Sequence, residues 1–155
     1  MIYTNNPTWL SRDFERDTLL RLTERTTDQQ QRIADLTAEM RTIEATAPDG
    51  YALPKPAADL LALAKANRWL TAARWSEDSG GNPFVDIQVA HRVPGGSSWA
   101  YRLTWWTRDL TPGRMRYARG VASTPQQPGW TTAPSVRAIR EVIAANPASP
   151  TEEAA

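Results

Sequence analysis

From residue 11 to residue 47 the chain carries neither proline nor glycine, and its apolar side chains there follow a helical rule. Leu19, Thr26, Ile33 and Met40 fall seven apart, and Leu22, Gln29, Leu36 and Ile43 repeat that interval three residues later. This is an a/d heptad with polar interruptions at Thr26 and Gln29, the pattern of a helix that buries a narrow seam against another helix. The spacing predicts one long N-terminal coiled-coil helix of about 36 residues, roughly 54 Å long at 1.5 Å per residue. Ser11 reads as its N-cap, with Asp13, Glu15 and Asp17 in the first turns where the helix dipole favours anions. Asp17–Arg21 and Asp28–Arg32 are acid-to-base pairs at i,i+4. Trp9, Leu10 and Phe14 either extend the seam or fold back over it. No second segment of similar length is present, so the seam predicts a homo-oligomer, a dimer first, built on those eight a/d positions. The competing expectation is that the helix lies along its own body.

Residues 48–56 hold three prolines and a Pro48-Asp49-Gly50 turn signal, which ends the helix and makes a stiff linker. A short helix follows over 57–67, with Leu60, Leu61, Leu63 and Ala64 on its apolar side. Four extended segments come next, over 69–77, 84–93, 98–108 and 114–121, separated by glycine-bearing loops suited to antiparallel hairpins. A Pro/Gln-rich loop over 123–132 leads to a last helix over 134–145, striped by Val136, Ile139, Val142 and Ile143 and stopped by Asn146-Pro147. The tail, 147–155, reads as disordered. The expected organisation is therefore an oligomerisation helix (1–47), a linker (48–56), a basic α+β domain (57–146) and a tail. The domain's α-β-β-β-β-α order predicts a four-stranded antiparallel sheet with both helices on one face. That order is similar, in topology alone, to the double-stranded-RNA-binding fold. It has one strand more, and its last helix lacks that family's Lys-Lys-x-x-Ala start.

Alternation along each strand assigns the faces. Trp69, Ala73, Trp75, Val85, Ile87, Val89, Trp99, Tyr101, Leu103, Trp105, Met115, Tyr117 and Val121 point toward the helices. Arg74, Arg92, Arg102, Arg108, Arg114 and Arg116 share the other side with Trp106 and Phe84. Charge is divided the same way: residues 1–54 carry a net −3, residues 55–147 a net +6 and the last eight −2, giving +1 in all. Guanidinium groups grip phosphates and exposed aromatic rings stack on bases, so this face predicts contact with an anionic partner, nucleic acid first. A protein partner, with the chain as an adaptor or assembly subunit of a phage or mobile element, is the alternative, because Trp and Arg also dominate protein hot spots. Trp130, in a Pro-Gly-Trp loop, is expected to pin that loop to the body.

Catalytic signals are poor. There is no cysteine and one histidine, His91, which alternation places among the inward residues as a structural group. No ligand spacing for zinc and no glycine-rich phosphate cradle occurs, so no catalytic residue, cofactor or metal is expected. Asp86 faces the arginines, which suggests an ion pair with Arg74 or Arg102. The first residues, Met1 to Pro7, lack a signal peptide's basic start and apolar run, and no stretch reaches the ~20 apolar residues of a membrane span. A cytoplasmic, non-enzymatic binding protein is the expectation.

Overall fold

The computed structural model describes residues 6–92, 98–107 and 114–148. Arg108, the loop glycines of 94–97, the turn at 109–113 and the tail from 149 on lie outside the described residues.

The first departure from the heptad reading is at its start. Helix α1 is short, Pro7–Leu20, capped by the Asn6 side chain rather than by Ser11, with a proline in its first turn. The chain then turns and helix α2 begins at Thr27 and runs to Glu44. The two polar interruptions of the heptad cause the break. Thr26 is the N-cap of α2, its hydroxyl accepting from the Gln29 backbone N–H, while the Gln29 side chain accepts from the Thr26 N–H. This Thr-x-x-Gln capping box satisfies two of the donors that every helix start leaves open. The single long coiled-coil helix is thus replaced by a helical hairpin.

Antiparallel packing of α1 on α2 follows from their contacts: Trp9 donates to Glu44 at 3.2 Å, Arg12 pairs with Glu39 at 2.6 Å, and Glu15 pairs with Arg32 at 2.5 Å. Arg32 therefore takes Glu15 in place of its expected helical neighbour Asp28, and its hydrogen bond holds the Glu15 carboxyl below the usual range. The Asp17–Arg21 pair forms at 2.9 Å. The expected seam is used within the chain. Leu36 and Met40 are fully buried and Ile43 packs against the core, whereas Leu19, Gln29 and Ile33 are half-buried and Leu22 and Thr26 exposed.

Helix α3 spans Lys55–Ala66, so Pro54 and Pro56 belong to its start rather than to a linker. Strands β1 (Leu70–Glu77), β2 (Pro83–His91), β3 (Trp99–Thr107) and β4 (Met115–Ser123) form an antiparallel meander. A fifth strand, β5 (Thr131–Thr132), adds to β4, so the sheet has five strands in the order β1-β2-β3-β4-β5, not four. Two residues are too few to show a period, which is why β5 reads as loop. Helix α4 spans Val136–Ala145 behind a Ser135 cap. The core lies between one face of the sheet and the helices: Val85, Ile87, Val89, Tyr101, Leu103 and Trp105 meet Leu60, Leu61 and Ala64 of α3 and Ile139 and Ile143 of α4. Met40 and Trp9 bring the hairpin into the same cluster.

Candidate functional site

The face of the sheet opposite the core is read from the strand register. One row runs Ala72, Gln88, Arg102, Val121; the next Arg74, Asp86, Thr104, Arg119; the third Ser76, Phe84, Trp106, Arg116. Alternation alone would put Arg119 among the inward residues and Val121 with them. A register shift between Thr104 and Trp105 changes this: Trp105 faces Tyr117 while Thr104 faces Arg119, which leaves Ala118 as the extra residue of a β-bulge. Beyond the bulge every side chain of β4 changes face. Arg119 joins Arg102 and Arg116 outside, Val121 moves out with it, and Ala122 becomes core. Gly120 then points inward, where a Cβ would lie 2.5 Å from Leu103 Cδ2, 3.0 Å from the Ala133 Cβ and closer still to the Tyr117 hydroxyl. Tyr117 crosses over this glycine, and burial of its ring against Trp105, 5.2 Å away, raises the phenol above its ordinary pKa.

The expected site residues divide accordingly. Arg102, Arg114 and Arg116 are exposed, the first and last on the outer face of β3 and β4 and Arg114 immediately before β4. Arg92 is exposed just past the opposite end of β2. Arg74 lies apart, lining a groove with Arg41, Glu44 and Lys65 between α2 and the β1 edge. Trp106 is half-buried, and its indole N–H donates to Asp78 Oδ2 at 2.9 Å. Asp78 also folds the β1–β2 turn, accepting from the backbone of Gly80 and Asn82 at 2.9 Å each. The Asn82 backbone bond, followed by its other hydrogen bonds, holds this carboxyl below its ordinary value. Trp106 is therefore a fixed ring beside Phe84, not a freely swinging one.

At the centre of this face is a concavity of about 480 Å³ lined by Phe84, Asp86, Arg102, Thr104, Arg119, Gly120 and Val121, all from the sheet. Asp86 forms its floor at 4% exposure. The expected ion pair with Arg74 or Arg102 is absent; Asp86 instead accepts from the Thr104 hydroxyl. Arg102 is held alongside by Gln88, whose amide oxygen, oriented by its partners, accepts from Nε and Nη2 at 3.1 Å.

The distribution of ion pairs separates the two halves of the molecule. In the hairpin, Arg12, Arg16, Arg21 and Arg32 each meet a carboxylate within 4 Å. On the sheet, none of Arg102, Arg114, Arg116 and Arg119 pairs with a described acid. Elsewhere, His91 sits edge-on between Trp69 and Trp99 at 5.4 and 5.3 Å, within the buried aromatic cluster. Trp130 is 61% exposed rather than pinned. Among the described residues no three His, Asp or Glu side chains gather as metal ligands, and no helix is long and apolar enough to cross a membrane. No family model matches the chain, and neither a curated protein nor a solved structure is significantly similar to it.

Proposed function

We propose that this is a non-catalytic binding protein whose outer sheet face engages the phosphate backbone of single-stranded nucleic acid. One observation carries the reading: four arginines that pair with no described acid, on or beside one face, next to Phe84 and the fixed ring of Trp106. An exposed Arg that meets no carboxylate keeps its full attraction for an external anion, and a planar guanidinium matches phosphate in bidentate fashion. Single strands suit a sheet because their unstacked bases lie against aromatic side chains, whereas a duplex hides those faces. Arg102, Arg114, Arg116 and Arg119 supply the charge; in sequence, Arg108 follows β3 and Arg92 follows β2. Arg74 is assigned no part, since it lines the groove between α2 and the β1 edge, where Glu44 stands beside it.

Mobility-shift titration with single- and double-stranded DNA and RNA tests this at low and moderate salt. Binding of single strands that weakens steeply with salt is the expected result; absence of any shift at low salt rejects the reading. A second reading, protein contact, has its own support in exposed apolar side chains, above all Phe14 at 76% exposure with Leu10 beside it on α1, and Trp130. Self-association belongs with that reading, through α1 and not through the a/d stripe, whose Leu36 and Met40 are spent inside the chain. A stoichiometric, salt-insensitive complex between polypeptides would favour it.

A further inference from the structure

We propose that the sheet-face concavity is a guanine pocket, in which Asp86 reads the base and Arg102 and Arg119 hold the adjoining phosphates; the inference rests on the single-strand reading above. The floor makes the first demand. Asp86 is buried, no described arginine reaches it within ion-pairing distance, and its described hydrogen bond uses Oδ1 for the Thr104 hydroxyl. A carboxylate only accepts, so whatever fills the concavity must bring N–H or O–H donors to it, and a buried charge gains most from such donors. The rim makes the second demand. Two guanidinium groups, Arg102 and Arg119, flank the opening and repel an amine or an arginine side chain. The occupant must present donors at its tip and negative charge at its base.

A nucleotide does both, and among the four bases the choice is chemical. Guanine carries two adjacent donors, N1–H and the N2 amino group, which match the two oxygens of a carboxylate. Adenine and cytosine each set one amino group beside an acceptor nitrogen, and uracil flanks its single N–H with two carbonyls; each places a lone pair against Asp86. Phe84 and Val121 provide apolar walls for the base, and Phe84 adds a face on which it can stack. A concavity of about 480 Å³ has room for one base with its sugar.

The test uses the full chain and heptauridylate carrying guanosine, inosine or adenosine at its central position, followed by fluorescence anisotropy at low salt. Inosine keeps N1–H and lacks only the N2 amino group. The guanosine oligomer should bind about tenfold more tightly than the other two, since a bidentate base contact is worth a discrimination of that order. Asp86→Asn should abolish that preference, bringing the guanosine oligomer to the affinity of the other two, with near-ultraviolet circular dichroism confirming the fold. Equal affinity for guanosine and inosine oligomers in the unsubstituted protein overturns the guanine pocket and leaves the single-strand reading intact. Failure of all three to bind rejects the single-strand reading itself.

Discussion

Replacing Gly120 by alanine tests the bulge that builds the outer face. The new methyl group would stand 2.5 Å from Leu103 Cδ2 and 3.0 Å from the Ala133 Cβ, and nearer still to the Tyr117 hydroxyl. Tyr117 is 40% exposed and can swing away, but Leu103 is fully buried between β2 and β4 and has nowhere to go. Overpacking of this kind costs about 1–3 kcal/mol. For a protein of this size, that lowers the melting temperature by about 2–12 °C at about 2–4 °C per kcal/mol. Thermal unfolding followed by far-ultraviolet circular dichroism measures it, and adding Tyr117→Ala to Gly120→Ala should recover the Tyr117 share as a coupling energy. A Gly120→Ala protein that melts with the wild type would mean that Gly120 does not face Leu103. The bulge at Ala118, and with it the outward aim of Arg119, would then be wrong.

Three other substitutions probe separate parts of the fold. Thr26→Ala removes half of the capping box and should cost about 1 kcal/mol, with faster amide exchange in the first turn of α2; unchanged exchange there would contradict the helix break. Arg68 closes α3 with φ 61, a conformation that disfavours a side chain, so Arg68→Gly should raise stability by up to about 1 kcal/mol in urea unfolding, and a loss would refute the strain. Asp78 has a folded-state pKa below its ordinary 3.8, so its contribution is present above that value and disappears as pH falls through the lower folded one. Asp78→Asn should therefore lose stability at neutral pH and show a shallower acid limb in tryptophan-monitored unfolding; an unaltered limb would count against the hydrogen bonds assigned to it.

Much of this architecture is legible in the sequence where a period runs long enough to be counted. The four long strands and the α4 stripe fall within a few residues of their expected places because alternation and 3.6-residue spacing are imposed by burial of one face. The structure departs from the periodic pattern where a local signal competes with a longer one. Thr26 and Gln29 fit a heptad as polar interruptions, yet three-residue spacing of Thr and Gln ahead of an apolar run is also a helix start, and the cap prevailed. With the helix divided, its two halves pack on one another, and Leu36 and Met40 are buried inside the chain rather than free for a partner copy. The change of face in β4 has a different origin. A bulge inserts one residue without altering composition, so counting from Arg114 and Arg116 carries Arg119 to the wrong face. The one available cue is Gly120, the only glycine inside a described strand, since an isolated strand glycine marks a bulge or a close approach. Alternation puts Asp86 on the outer face, but a two-residue period says nothing of depth, so its burial carries no signal in the sequence.

The most direct test of the central claim is the slope of log binding constant against log salt for a single-stranded oligonucleotide. Each phosphate neutralised contributes about −0.7 to that slope, so four arginines that meet no described acid predict a value near −3 at most. Arg119→Ala, at the position that only the bulge brings outward, should flatten it by about 0.7, as should Arg102→Ala. A slope near zero, or one that the loss of Arg119 leaves unchanged, would contradict a phosphate-binding role for this face.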